Sequence, residues 1–274
     1  MSNWIALTKQ NAVSCAATLT GNGPGQALIG RCISWLQILQ GVGSGGDVAS
    51  SGEGVVLRKL AQRAHVRHVT IFDVGANQGQ FLSEVVHQFG ESPYFVHSFE
   101  PGTGAFQVLR TKFHRLGNVT LNHKAVSNMS GTATLWFDAE GSAGASLSKR
   151  DLSHLGREFS SQESVATITI DKYCQDNSID FVDLLKIDVE GHELDVLNGA
   201  HQAFESRRVG MVLFEFGCCN VDSRCFFRDL WEFFRGVDMQ VGRLTPSGYV
   251  VPLLRYSEVL EQYRTTNYVV TRHR

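Results

Sequence analysis

The segment Ile71-Phe72-Asp73-Val74-Gly75-Ala76-Asn77-Gln78-Gly79-Gln80 constrains the fold of this chain more than any other. A short apolar run leads into an acid, and two glycines follow, four positions apart. Phe81-Leu82-Ser83-Glu84-Val85-Val86 then continues with helical character. The pattern predicts a strand, a tight turn and a helix start. Glycine permits positive φ and lets a ligand approach bare backbone. A helix start offers unpaired N–H groups at the positive end of its dipole, so a nucleotide-like cofactor suits the turn.

The spacing narrows the choice of cofactor. A dinucleotide fingerprint, G-x-G-x-x-G, needs its second glycine so that backbone can reach a pyrophosphate. Asn77 stands at that place. The turn therefore favours a cofactor without a pyrophosphate. S-adenosyl-L-methionine, an adenosine with a short amino-acid tail and a positive sulfonium, meets that requirement.

Around this turn, helices and strands alternate from Val55 onward. Helices are predicted over 55–65, 79–89, 106–116, 193–204 and 226–234. Strands are predicted over 69–74, 94–99, 119–122, 181–188 and 209–216. Residues 131–137 alternate apolar and polar, and 165–169 read as a strand at an edge or in an insertion. The closing segments 239–244, 248–253 and 267–270 lie too close together for helical crossovers, so at least one pairing there is expected to be antiparallel. The whole predicts an α/β fold, a mostly parallel sheet with helices on both faces. Residues 1–54 differ. Ala27 to Leu39 reads as a helix with one apolar face, and the Gly/Ser-rich run from Gly41 to Gly54 reads as a connection. The extension is either a linked helical piece or a lid over a bound cofactor.

Composition excludes some functions. The 274 residues are 43% hydrophobic and 19% charged with net charge -2, an ordinary globular balance without the basic footprint of a nucleic-acid binder. The densest basic stretch, Arg58-Lys59 through Arg63, His65, Arg67 and His68, reads as a solvated helix face or a docking patch for an acidic substrate. Six cysteines (Cys15, Cys32, Cys174, Cys218, Cys219 and Cys225) include no C-x-x-C pair, which argues against a zinc site and for free thiols. Met1-Ser2-Asn3-Trp4 lacks the start of a signal peptide, and no apolar run approaches a membrane span. The expectation is a cytoplasmic protein without an integral membrane segment. Homo-oligomerisation is left open.

In a doubly wound sheet, ligands bind beyond the carboxyl ends of the strands. Those ends carry Asp73 with the glycine turn, Glu100, the 122–125 region, Asp188 and Glu215. Glu100 follows Gly79 by about twenty residues, the place of an acid that accepts ribose hydroxyls. Lys124-Ala125-Val126 would lie beside an adenine. Lys186-Ile187-Asp188-Val189-Glu190-Gly191-His192-Glu193 is a second cluster. His192 titrates near neutrality and is a candidate base, with Asp188 and Glu190 beside it; helix capping is the structural alternative. Asp188, Glu190 and Glu215 are also candidate oxygen ligands for a divalent cation such as magnesium.

Four segments in this order, FDVGANQG, SFEP, HKAVSNMSGTATL and LLKIDVEGHELDVLNGA, resemble the FkbM-type methyltransferases, class I enzymes that use S-adenosyl-L-methionine. The resemblance runs from about Ser51 to Tyr268. It implies a Rossmann-like, seven-stranded, mostly parallel sheet with an antiparallel last strand. It implies O-methylation of a sugar or polyketide hydroxyl. It matches Asp73, Gly75, Asn77 and Gly79 to the cofactor turn, Glu100 to the ribose acid and Asp188 to the acid beside the methionine end; Ala76, Pro101 and Ala125 are further candidate cofactor contacts read from the residues. Phe214-Glu215-Phe216-Gly217 with Asn220, Asp222, Ser223 and Arg224 resembles a subgroup associated with surface glycans, which implies a glycan acceptor. Gly144-Ala145-Ser146-Leu147, with Tyr256 and Glu258 opposite, is the expected acceptor wall. Two other readings share the sheet: an NAD-dependent oxidoreductase, which lacks the glycine spacing and a Tyr-x-x-x-Lys pair, and a non-catalytic nucleotide-binding module.

Overall fold

The computed structural model describes residues 13–272 except 15 and 65, so Cys15, His65 and residues 1–4 lie outside it. The chain divides into two compact units, one ending at Gln40 and one running from Gly41 onward. The first carries α1 (Gly23–Leu39), whose N-cap Asn22 accepts the Gly25 N–H at 2.8 Å; the helix buries none of its residues. The Gly/Ser-rich run belongs to the second unit and is packed there. Val42 and Ser51 are buried. A Cβ at Gly41 or Gly52 would meet the carbonyl oxygens of Leu244 or Thr245 at 2.0 and 2.3 Å.

The second unit continues with α2 (Glu53–Ala64), β1 (Val69–Val74), α3 (Gln80–Phe89), β2 (Tyr94–Phe99), α4 (Thr103–Phe113) and β3 (Val119–Asn122). Next come β4 (Ala125–Val126), β5 (Gly131–Phe137), β6 (Ser161–Ile168), α5 (Ile170–Asp176) and β7 (Leu184–Ile187). The chain closes with α6 (Glu193–Asn198), α7 (His201–Glu205), β8 (Met211–Phe216), α8 (Cys219–Ser223), α9 (Phe227–Gly236), β9 (Met239–Leu244), β10 (Val250–Pro252) and β11 (Thr266–Arg272).

The main sheet has the order β10-β9-β11-β8-β7-β1-β2-β3. The five strands from β8 to β3 pair in parallel, and β11 runs antiparallel to both β8 and β9. The fold class and the reversed last strand are those expected. The strand count is eight rather than seven, because β10 adds a three-residue hairpin partner to β9. The segment expected at an edge or insertion is β6, which forms a separate three-stranded sheet with β4 and β5. No helix among the described residues is long and apolar enough to cross a membrane, and the five described cysteines are free thiols.

Both faces of the main sheet are buried, as a parallel sheet requires. Strand alternation sorts the side chains. Phe72, Val74, Phe99, Leu185, Ile187, Phe214 and Phe216 join the core under α6 to α9. Val69, Ile71, Val96, Leu184, Leu213 and Val269 join the core under α2 and α3. On the second face the apolar series turns polar in its last step, at Asp73, Lys186, Glu215 and Asn267. Register confirms this, since Asp73 lies beside Lys186, Lys186 beside Leu213 and Glu215 beside Asn267.

The helix predicted over 193–204 is broken into α6 and α7. A Cβ at Gly199 would lie 2.1 Å from the Ser127 carbonyl oxygen, so the backbone after β4 passes where a continuous helix would run. A closer approach occurs at the first turn. Gly75 has φ +85, and its Cβ position lies 1.7 Å from the Asp188 carbonyl oxygen. Gly75→Ala is expected to destabilise the fold by about 3 kcal/mol or more, because both the backbone angle and the space are forbidden. Gly236→Ala, at an open helix end, is expected to stay within about 1 kcal/mol of the parent. Urea unfolding measures both; equal midpoints for Gly75→Ala and the parent would contradict the argument.

Candidate active site

Two adjoining hollows open beyond the carboxyl ends of β1, β2 and β7. The first is walled by Val74, Gly75, Asn77, Phe99, Glu100 and Pro101 on the strand ends. Lys124, Ala125, Val126 and Leu135 form an opposite wall, and Ser142 to Leu147, Gly144 excepted, close over it. The second lies on the α2 and α3 side of the sheet, walled by Glu53, Asp73, Lys186 and Glu215, among others. Gly75, Asn77, Ala143, Asp188 and Glu190 line both, so the two hollows meet at these residues.

The turn after β1 is built by backbone bonds. The N–H groups of Gly75 and Ala76 both donate to the Phe99 carbonyl, at 3.0 and 2.9 Å, and the Asp188 N–H donates to the Val74 carbonyl at 2.9 Å. Asn77 takes φ +47, a left-handed angle that asparagine tolerates. Its N–H donates to Glu100 Oε2 at 2.8 Å, and the Gly102 N–H donates to Glu100 Oε1 at 2.8 Å. Each carboxylate oxygen keeps a further lone pair for a ligand. Burial pushes the Glu100 carboxyl up to about 7, against the two N–H groups that favour its charge.

The sequence-derived residues distribute over both hollows. Gly75, Asn77, Glu100, Pro101, Ala125 and Asp188 line the first. Asp73 and Ala76 wall the second. Gly79 lines neither; its Cβ position is filled by the Phe113 ring at 2.3 Å, so it serves helix packing. Gly144 faces the second hollow, whereas Ala145, Ser146 and Leu147 face the first. Tyr256 and Glu258 line neither, and the Tyr256 hydroxyl donates to Glu261 Oε1 at 2.8 Å.

His192 lines the first hollow with both ring nitrogens engaged. Nδ1 lies 3.1 Å from Asp195 Oδ2 and Nε2 lies 3.0 Å from Ser127 Oγ. Burial lowers its pKa, with Asp195 opposing. The ring lines the first hollow and not the second.

Asp188, Glu190 and Glu215 were candidate ligands of a divalent cation. No group of three or more His, Cys, Asp or Glu among the described residues is arranged to hold a metal ion. Two of the three already have cations from the protein. Lys186 Nζ lies 3.1 Å from Asp188 Oδ2, and Arg150 Nη1 lies 2.6 Å from Glu190 Oε2. The metal expectation is therefore corrected: the acids face internal ammonium and guanidinium groups.

Arg150 and Glu53 escape a sequence reading. Arg150 sits in the long excursion between β5 and β6, is buried, and also reaches Asp222 at 3.6 Å. Nothing in Ser148-Lys149-Arg150-Asp151 distinguishes it from a solvated loop cation. Glu53 looks like an ordinary acid in a first helical turn. In fact it is buried against Lys186, 3.6 Å from Nζ. Burial favours the neutral Lys186 amine, yet Asp188, Glu53 and Glu215 hold it protonated and raise its pKa. Burial pushes Asp73 up to about 7 and Glu190 up to about 7, and pushes Glu215 well above the carboxylate range.

Glu100 gives a test of this electrostatic picture. The folded carboxyl holds its proton up to about 7, whereas the unfolded one releases it near 4.5. Stability from this group is therefore lost as pH rises between those values. Glu100→Gln removes that loss, so the variant is expected to gain stability relative to the parent between pH 5 and pH 8. Thermal unfolding at both values reads the difference, and a constant gap would refute the buried assignment.

Comparison with known proteins agrees with this geometry. Residues 73–238 match the model of the methyltransferase FkbM domain. No curated protein matches the sequence. Among solved structures, a methyltransferase FkbM from Methylobacillus flagellatus KT is 16% identical with a TM-score of 0.45, covering 78% of this chain and 47% of its own. A SAM-dependent O-methyltransferase from Thermotoga maritima is 13% identical with a TM-score of 0.39, covering 80% of this chain and 64% of its own. The chain thus spans about half to two thirds of the length of these two structures. The family match takes in the glycine turn, Glu100, Ala125, Asp188, Glu190 and His192 within one continuous block, and the chain belongs to the FkbM methyltransferase family.

Proposed function

We propose that the protein is an S-adenosyl-L-methionine-dependent O-methyltransferase whose acceptor is a hydroxyl of a sugar, a glycan or a related natural product. The observation that carries the reading is the meeting of the two hollows at Gly75, Asn77, Asp188 and Glu190. The first hollow suits an adenosine: Phe99, Ala125, Val126 and Leu135 offer apolar walls, and the Glu100 carboxylate offers paired acceptors to ribose hydroxyls. The second is wide and polar, with Asp47, Arg150 and Arg157 on its wall, as a polyhydroxylated acceptor requires. Residues 45–48 also line it, which supports a covering role for part of the stretch read as linker or lid.

When bound, the cofactor supplies an electrophilic methyl group. The chain's own residues orient the reactants and receive a proton. Glu190 lines both hollows, and Arg150 holds its Oε2 at 2.6 Å, leaving Oε1 for an acceptor hydroxyl. Its strained φ of +54 is kept by the turn into α6, and the Ser146 hydroxyl pins its carbonyl at 2.8 Å. A carboxyl with a pKa of about 7 suits a base working near neutrality. Asp188, held by Lys186, presents negative charge where the two hollows join. His192 walls the adenosine side and keeps the 126–128 backbone in place through Ser127.

A labelled-methyl transfer screen across sugars, lipid-linked glycans and hydroxylated natural products tests the reading. The expected product is a methyl ether; label on nitrogen or carbon would overturn it. With an acceptor so identified, the rate is expected to rise with pH through about 7 as Glu190 loses its proton, then level. Glu190→Gln is expected to lower kcat by a factor on the order of 10² or more and to flatten that profile. An unchanged profile would remove Glu190 from the proton transfer.

A further inference from the structure

Glu53 has no part in the chemistry described above. Glu53 opens α2, is 2% exposed, and still lines the second hollow. Its two oxygens are unequal. Oε2 accepts the Ser51 hydroxyl at 2.8 Å. Oε1 finds no hydrogen-bond partner among the described residues; the Lys186 Nζ, at 3.6 Å, is beyond hydrogen-bonding reach. A buried acceptor left unpaired is costly, and native proteins rarely keep one without a use.

Lys186 is the one cationic side chain that the ion pairs place against Glu53 and Asp188. Asp73 lies beside Lys186 across the β1–β7 register, and Glu215 lines the same hollow. One ammonium thus serves four carboxyl groups. The same hollow is also lined by Gln80 and Phe81, the first residues of α3. That ten-residue helix has no side-chain cap and no acid in its first turn, so its N–H groups are open to an anion. A buried carboxylate oxygen without a hydrogen bond and an uncapped helix start, both lining one space, match a zwitterion. The turn at Gly75 joins that space to the adenosine hollow.

We propose that Glu53 receives the α-ammonium group of the cofactor's amino-acid tail, with the carboxylate of the tail directed to the start of α3. Glu53 is then a specificity residue: it distinguishes a nucleoside carrying an amino-acid end from one without it. The proposal rests on the assignment of the first hollow to adenosine. It also gives the packed 41–53 stretch a purpose, since Gly45 to Val48 and Glu53 wall the same space.

Calorimetric titration with two ligands tests this without any acceptor. S-adenosylhomocysteine carries the amino-acid end, and 5′-methylthioadenosine lacks it. Glu53→Gln is expected to weaken S-adenosylhomocysteine by about tenfold or more, as for a lost charge-assisted hydrogen bond, and to leave 5′-methylthioadenosine within about twofold. Equal weakening of both, or of neither, would overturn the assignment. Should Glu53→Gln fail to fold, the unaltered protein is titrated with S-adenosylhomocysteine and its analogue lacking the α-amino group. A loss of about tenfold supports the seat, and equal affinity removes it. If the parent binds neither S-adenosylhomocysteine nor 5′-methylthioadenosine, the adenosine assignment itself fails, and the seat falls with it.

Discussion

The contact between Gly75 and the Asp188 carbonyl is the constraint on which the site depends. With the place of a Cβ lying 1.7 Å from that oxygen, only glycine lets the ends of β1 and β7 come this close. The Asp188 N–H then closes onto Val74, and the Gly75 and Ala76 N–H groups onto Phe99, so three strand ends are tied at one point. From there Asn77 reaches Glu100, and Asp188 and Glu190 are presented where the two hollows join. Widening the approach by one methyl group would part the walls that the two hollows share at Gly75 and Asp188.

Electrostatics then divides the space. The first hollow sets apolar side chains around Glu100, with Asp188 and Glu190 at its junction with the second. The second gathers carboxyl groups around Lys186 and Arg150 at a depth where charge is expensive. Burial pushes Asp73 and Glu190 toward neutrality, and Lys186 and Arg150 oppose that shift. Such a cluster is poorly satisfied by the protein alone and well suited to a positively charged guest. A sulfonium centre with an ammonium tail is a guest of that kind, whereas the adenine and ribose need only the drier hollow.

Much of this was legible in the sequence. The strands at 69–74, 94–99, 119–122, 131–137 and 239–244 have the bounds expected from the sequence pattern. The glycine turn and Glu100 were legible because strand ends carry ligand sites in this kind of sheet. The split between α6 and α7 was not, since the obstacle is the backbone at Ser127, far away in the chain. Neither was the pairing of His192 with Ser127 and Asp195, which commits a residue whose local pattern reads as a free base. Acids at 188, 190 and 215 suggested a metal because spacing does not show which cations stand opposite, and Arg150 arrives from a loop forty residues upstream. Long-range partners, rather than local propensities, decided each of these.

The central claim is that an adenosyl group lies across the turn after β1 with its ribose on Glu100. A crystal structure with S-adenosylhomocysteine tests it most directly. The account predicts ribose hydroxyls within hydrogen-bonding distance of the Glu100 carboxylate and the thioether sulfur above Gly75. A ligand lodged elsewhere, or a ribose turned away from Glu100, would contradict it.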